Sequence, residues 1–306
     1  MTNPILTFDH TQRSSWQGCK RAYFFRHLCG IRKVTADSPG FSFGSAFHSS
    51  SEVLDMTGDI NLAMATFSDM FNFIDDKVRT LNRAREILIA YEKFIKQKGW
   101  KFSQTSETTM EIAFNAPLTS RINYAGRCDR QFENGDIGEW KTTYYLYNSS
   151  GNPMPYLQQW WGHNSIRGYA WAQKASHVHI LGIGVYPQKQ ERGGDPYPGV
   201  ESLTIPIQEW EIKQFAYEAE VIGEEIIAYA SKNGLSIGKD FQENLDKTFY
   251  DKLWHGFPTN TSRCYFNLNN ACQFVDLCTR NVPKGLVLGN YVIDPFLPWL
   301  EDKEVE

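Results

Sequence analysis

Asp129, Glu139 and Lys141 are the residues of this chain whose types and spacing could do chemistry together. They fall within residues 121–143, RINYAGRCDRQFENGDIGEWKTT, where two strand-like runs flank a Glu133-Asn134-Gly135 turn. In the first run Ile122, Tyr124, Cys128 and Phe132 alternate with Asn123, Arg127, Asp129 and Gln131, the period-2 pattern of a strand. Loop length decides whether the two acids meet, because a slip of one residue sends every side chain to the opposite face. A two-residue Asn-Gly turn would pair Arg130 with Glu139 and turn Asp129 away. A three-residue loop with Gly135 in the left-handed region sets Asp129 opposite Glu139, with Lys141 two residues further along the same face. The expected register is the second.

Carboxylates on cross-strand neighbours lie about 5 Å apart, so they must share a proton or a cation. Mg²⁺ and Mn²⁺ suit such a pair, since they take oxygen ligands, keep several waters and bind one or two carboxylates together with phosphate oxygens. A neighbouring lysine can orient an attacking water or steady charge developing on a phosphate. The trio therefore points to metal-dependent phosphodiester chemistry. The same three residue types also suit an ordinary solvated hairpin.

Several elements must position these groups. A helix is expected over 44–56, carrying His48, Glu52 and Asp55 at helical spacing; a lone histidine on a helix is most often structural. Residues 60–98 read as two more helices packed on that one, the second over 75–98 with Val78, Leu81, Ala84, Ile87, Leu88, Tyr91 and Ile95 as its apolar stripe. A strand near 108–115 leads into the hairpin. After a loop over 148–153, a helix is expected over 156–175, then a central strand at 177–186, HVHILGIGVY, reached by a right-handed crossover. A Gly/Pro-rich loop over 187–199, a strand at 200–205 and a helix over 208–232 complete the pattern.

A helix is also expected over 11–29. Arg13, Lys20, Arg21, Arg26, Arg32 and Lys33 face only Asp9 within the first 33 residues, a basic patch that is the one local attraction for nucleic acid in a chain of net charge −4. The interleaved Trp16, Tyr23, Phe24 and Phe25 are either stacking surfaces for unpaired bases or the core face of an amphipathic helix.

With 306 residues, 42% hydrophobic and 14% aromatic content, the chain can bury a substantial core, and disorder is excluded. No apolar run approaches a membrane span and no signal-peptide pattern opens the sequence, so a soluble, cytoplasmic protein is expected. Structural disulfides are then not expected among Cys19, Cys29, Cys128, Cys264, Cys272 and Cys278. Cys264, Cys272 and Cys278 crowd into SRCYFNLNNACQFVDLC, a density that reads as a metal or cluster site, with zinc and plain buried thiols as the other readings.

Asp129, nine residues, then Glu139-Trp140-Lys141 resembles the core of the PD-(D/E)xK nuclease superfamily in its RecB-like exonuclease branch, with Cys128 standing at the proline of the family name. Phe43-Gly44-Ser45-Ala46-Phe47-His48 looks like the branch's "fG.a.H" element, and Ser14-Ser15-Trp16-Gln17-Gly18-Cys19-Lys20-Arg21-Ala22-Tyr23 like its opening "S....C.r.y" segment. Ile166-Arg167-Gly168-Tyr169-Ala170-Trp171-Ala172 looks like its "Q..gY.wa" helix, although Ser165 occupies the neighbourhood of the glutamine and Gln158 and Gln159 lie two turns earlier.

The resemblance implies an α/β fold, a central mixed β-sheet flanked by helices in the restriction-endonuclease-like manner, with a helical insertion and a cysteine-rich C-terminal module. It implies three parts: 1–42, an N-terminal segment with the first cluster cysteine; 43–235, a nuclease core with its insertion at about 58–100; and 236–306, the cysteine-rich module. His48, Asp129, Glu139 and the main-chain carbonyl of Trp140 would hold one or two Mg²⁺ or Mn²⁺ ions, Lys141 would help the water, and Tyr169 would reach toward substrate or catalytic residues. One early and three late cysteines, Cys19 with Cys264, Cys272 and Cys278, match the branch's [4Fe–4S] layout, with structural Zn²⁺ as the alternative.

The activity implied is that of a metal-dependent DNA nuclease, an exonuclease on single-stranded or end-bearing DNA of phage or CRISPR-associated type. The alternatives are a catalytically silent DNA-binding or assembly subunit and a hydrolase of small phosphoesters, the latter disfavoured by the absence of a Gly-rich phosphate loop. With no helicase motif in the chain, unwinding would need a helicase or recombination partner.

Overall fold

A computed structural model describes residues 5–33, 39–71, 77–103, 110–144, 146–148, 151–185, 199–251, 257–258, 260, 264–267, 270–274, 277–278 and 291–295. The chain divides into two compact units, one of residues 1–36, 113–126 and 213–306, the other of 37–112 and 127–212.

In the first unit β1 (Leu6–Phe8) runs parallel to β4 (Ile122–Cys128), and β3 (Ile112–Pro117) completes a sheet of order β1-β4-β3. Asp9 caps α1 (His10–Gly18), accepting from Gln12 N at 2.8 Å. The helix expected over 11–29 does not run through. Backbone at Cys19 is extended (φ −160°, ψ 106°), α2 (Lys20–Tyr23) restarts the helix, and Phe24–Leu28 wind as a π turn. The wider π turn brings Phe24, Phe25, His27 and Leu28 all inside. Trp16 and Tyr23 are buried as well, so these aromatics pack the unit and offer no stacking face to bases. The basic patch is also largely consumed internally: Arg13 pairs with Glu218 at 2.5 Å, Lys20 with Glu225 at 3.1 Å and Arg32 with Asp294 at 2.6 Å.

The rest of this unit includes α8 (Glu209–Lys232, whose first turn lies in the other unit) and α9 (Phe241–Asp251), the antiparallel pair of β2 (Ile31–Lys33) and β11 (Tyr291–Ile293), and the antiparallel pair of β9 (Tyr265–Asn267) and β10 (Asn270–Ala271).

The second unit carries the mixed sheet expected from sequence, in the order β5-β6-β7-β8. β5 (Arg130–Gln131) is antiparallel to β6 (Ile137–Thr143), β6 parallel to β7 (His177–Gly184), and β7 antiparallel to β8 (Val200–Pro206). The run read as one strand over 121–132 is divided: β4 ends at Cys128, Asp129 belongs to no strand, and Arg130 begins pairing in the other sheet. Period-2 alternation continues through that break because both segments bury the same parity of side chain.

α3 (Pro39–Thr57) starts earlier than residue 44, with a proline at its first position, where a missing N–H costs nothing. α4 (Ile60–Met70) and α5 (Leu81–Lys98) pack on α3. Thr80 caps α5 through Arg83 N at 3.1 Å, and Ala84, Ile87, Leu88, Tyr91 and Ile95 form its buried stripe; Leu81, also expected there, is 44% exposed. That stripe meets Phe43, Phe47, Phe67, Trp140, Leu181 and Ile183 in one core. Fully burying each large apolar side chain contributes roughly 1.5–3 kcal/mol, enough to fix helices to the sheet.

The single helix expected over 156–175 is two, α6 (Met154–Gln158) and α7 (Asn164–Gln173), the latter capped by His163. The loop expected over 187–199 lies, apart from Gly199, outside the described residues, as do residues 108–109 of the expected strand and 75–76 of the expected helix. Among the described residues no helix is long and apolar enough to cross a membrane.

Candidate metal centre

The hairpin holds the register that its turn chemistry demands. Phe132 N donates to Asp136 O at 2.8 Å and Gly135 N to Phe132 O at 2.9 Å, closing a three-residue loop in which Gly135 has φ +86°. Arg130 pairs with Gly138 and Gln131 with Ile137, and continuing by one pair sets Asp129 opposite Glu139. Asp129 is anchored from two sides: its Oδ2 accepts from Trp140 N at 2.5 Å and its Oδ1 lies 3.2 Å from His48 Nδ1. Lys141 Nζ ion-pairs with Glu139 Oε1, and the ammonium stands 5.2 Å from the centre of the Trp160 ring.

A further carboxylate completes the group. Glu111, just before β3, offers an oxygen that lies within 4.8 Å of donor atoms from His48 and Asp129, the three being mutually that close. Glu52, one turn after His48 on α3, accepts from the backbone N–H of Glu111 at 3.1 Å and from that of Met110, and Arg127 pairs with the Glu111 side chain at 3.1 Å. Sequence reasoning missed Glu111. Its signals were Glu52 at i+4 from His48 and an acid opening an alternating strand; the expected strand was read for its pattern and not for its acid.

Electrostatics separate the two hairpin acids. Burial pushes the Asp129 carboxyl up, but the facing His48 and Lys141 and the Trp140 N–H outweigh it and hold the group at about 2. Burial, and next the charge of Asp129, push Glu139 up to about 7 against the pull of Lys141. His48 and Lys141 are both raised: burial lowers each, and the carboxylates beside them more than compensate. Among the described residues, Glu139 Oε2 is buried without a hydrogen-bond partner. A buried acceptor left over near Asp129 and His48 is what a cation would satisfy, although Glu139 itself lies outside the group of His48, Glu111 and Asp129 donors that come within 4.8 Å of one another.

Of the residues expected from sequence, His48, Asp129, Glu139 and Lys141 are brought together. Trp140 contributes its N–H to Asp129, while its side chain is buried against Tyr91 and Trp100. Tyr169 is buried on α7, which packs on β6 and β7.

In the first unit, Cys19, Cys264, Cys272 and Cys278 are all partly exposed free thiols and Cys29 is buried; Cys128, in the second unit, is buried too. Burial raises Cys272, and Cys19 and Cys264 add to it. Burial pushes Cys278 up to about 12 against Arg21, with Cys272, Cys19 and Cys264 again adding. Each charge is thus felt by its neighbours, but among the described residues no three of these sulfurs come within 4.8 Å of one another, and Cys272 N donates to Cys264 O at 2.8 Å.

No family model matches the chain, and no curated protein matches it. Solved structures to which it is similar include a candidate exonuclease from Eubacterium rectale, at 13% identity and TM-score 0.46 over 75% of this chain and 84% of that one. Others are the alkaline exonuclease LHK-Exo of Laribacter hongkongensis in complex with dAMP (13%, TM-score 0.33, 60% and 89%) and a phage-related exonuclease from Haemophilus somnus 129PT (10%, TM-score 0.28, 69% and 95%).

Proposed function

We propose that the chain is a metal-dependent deoxyribonuclease that hydrolyses phosphodiester bonds, acting as an exonuclease on single-stranded or end-bearing DNA. The observation that carries this reading is the convergence of His48, Glu111 and Asp129 donors within 4.8 Å, beside the part-buried Glu139–Lys141 pair. The donor set fits one or two hard divalent ions, and its imidazole tilts the choice from Mg²⁺ toward Mn²⁺. Asp129, Glu139, His48, Glu111 and the main-chain carbonyl of Trp140 would hold them. When bound, such ions polarise the phosphate and neutralise the leaving oxygen.

The chain's own side chains do the rest. Lys141, held between Glu139 and the Trp160 ring, keeps a proton and orients the attacking water or steadies charge on the phosphate. Asp129, ionised by its donors, is the fixed anchor; Tyr169, on the α7 helix that packs on β6, is proposed to reach toward substrate or catalytic residues.

Cys19, Cys264, Cys272 and Cys278 are proposed to hold a [4Fe–4S] cluster that ties the N-terminal segment to the C-terminal module, with structural Zn²⁺ as the alternative. Soft sulfur donors that influence one another's ionisation suit a thiophilic cation of either kind. A helicase or recombination protein is the partner that would supply unwinding.

The test is cleavage of end-labelled single- and double-stranded DNA by wild type and Lys141→Ala, purified without oxygen, in Mn²⁺, Mg²⁺ or EDTA. Metal-dependent cutting by the wild type alone, with a ladder shortening from one end, is the expected result. DNA binding without cutting by either protein would establish the silent DNA-binding subunit instead. A brown protein containing iron supports the cluster, and a colourless one containing zinc replaces it with a zinc site.

A further inference from the structure

One buried charge beside the candidate metal centre is not used by the proposed reaction. Arg130 is 0% exposed, and its guanidinium donates in three directions: Nη1 to the main-chain oxygen of Asp129 at 2.7 Å, Nε to Asp55 Oδ2 at 2.8 Å and Nη2 to Ser51 Oγ at 3.1 Å. Asp55 Oδ2 also accepts from the Tyr91 hydroxyl at 2.6 Å, and that hydroxyl accepts from Trp140 Nε1 at 3.2 Å. Trp140 in turn gives its backbone N–H to the Asp129 carboxylate at 2.5 Å. The hydrogen bonds close a ring that leaves Asp129 by its main chain and returns to it at its side chain.

We infer that Arg130, with Ser51, Asp55 and Tyr91, positions the Asp129 carboxylate against His48. The inference rests on the metal-site reading above and extends it to residues which that reading leaves idle. Asp129 sits between β4 and β5, outside both strands, so the hairpin register sets which residue it faces but no ladder bond of its own fixes the angle of its carboxylate. Ser51 and Asp55 follow His48 by three and seven residues on α3, hence on the same helix face. Arg130 therefore ties the bend that carries Asp129 to the face that carries His48, the two residues whose Nδ1 and Oδ1 stand 3.2 Å apart.

A buried ion pair is a weak stabiliser, because desolvation consumes most of its attraction. What this one supplies is geometry. A planar guanidinium fork fixes three acceptors at set angles, which the single nitrogen of a lysine cannot reproduce.

Mn²⁺ affinity of the full-length protein, read from the free-ion electron paramagnetic resonance signal, separates positioning from general stability when paired with thermal unfolding of the same samples. Arg130→Lys should weaken Mn²⁺ binding about tenfold or more, the usual range for partners behind a metal ligand, and Tyr91→Phe, one step further out, by a smaller factor of about three. Leu88→Ala, buried on α5 outside the ring of hydrogen bonds, should lower the unfolding temperature and leave Mn²⁺ affinity unchanged. Wild-type affinity in folded Arg130→Lys, or an equal loss in Leu88→Ala, overturns the inference. If Arg130→Lys does not fold, Tyr91→Phe decides, since it removes one hydroxyl; unchanged affinity there overturns the inference as well. A wild type that binds no Mn²⁺ overturns the metal-site reading itself and the inference with it.

Discussion

Replacing Glu139 by glutamine should stabilise the metal-free protein while spoiling the proposed metal site. Glu139 is 5% exposed, and its carboxyl is pushed from 4.5 to about 7 by burial and by Asp129, against Lys141. Between those values the folded state holds a proton that the unfolded state has released. Native protein then binds more protons, so stability falls as pH rises through the window and the whole penalty is present above it. From 4.5 to about 7, at about 1.4 kcal/mol for each pH unit, the penalty is about 3 kcal/mol. Glutamine keeps the shape and an acceptor for Lys141 but cannot ionise. Its advantage should therefore be about 3 kcal/mol at pH 8, about 1 kcal/mol at pH 5 and close to nothing at pH 4. At about 2–4 °C per kcal/mol for a domain of this size, the unfolding temperature in EDTA should rise by about 6–12 °C at pH 8. Adding Mn²⁺ should reverse the order, because a ligand that binds only the folded state stabilises only the protein able to hold it. Equal unfolding temperatures in EDTA at pH 8, or a gap that does not shrink toward pH 4, would refute the reasoning.

Glu111→Gln should weaken Mn²⁺ binding by at least about tenfold while the unfolding temperature changes little, since its Arg127 partner is itself partly exposed; wild-type affinity would remove Glu111 from the site. Gly138→Ala should cost about 1–3 kcal/mol, because an added Cβ would stand 2.6 Å from the Trp140 ring, which is stacked on Trp100 and cannot easily yield. An unchanged unfolding temperature for that variant would show the ring to be loosely held.

What the sequence made legible were the local choices. The Glu133-Asn134-Gly135 turn sets its own geometry, so the facing of Asp129 and Glu139 could be read from a few residues. The helix with His48 was legible as a helix, but the histidine's role came from a resemblance, because nothing in residues 44–56 says what faces it. Arg130 left a signal that went unread: with Ile122, Tyr124, Cys128 and Phe132 it shares the buried parity of the run, and a cation on the apolar face of a strand implies buried partners. Those partners, Ser51 and Asp55, are more than 70 residues away in sequence, and no local pattern names them. The change of sheet at Asp129 was hidden for a related reason, since alternation reports which side chains are buried and not which strand lies alongside. The aromatics near the N-terminus could be read as stacking surfaces or as core, and their burial decides for core.

The two hairpin acids lie side by side, the Asp129 side chain 14% and the Glu139 side chain 7% exposed, yet one is held at about 2 and the other pushed up to about 7. Burial cannot produce that split; the supply of donors does. Asp129 has the His48 imidazole on one oxygen and the Trp140 N–H on the other, whereas Glu139 has Lys141 on one oxygen and no partner among the described residues on the other. A cation arriving beside Asp129 therefore meets one carboxylate already ionised and one whose ionisation its own charge must complete. On the proposed metal-site reading the two positions are unequal: Asp129 would fix where an ion sits, and Glu139 would join at the expense of a proton. Exchanging the two acids, which keeps every charge and changes only side-chain length, would put the longer carboxylate between His48 and the Trp140 N–H, so the site should depend on which acid stands where.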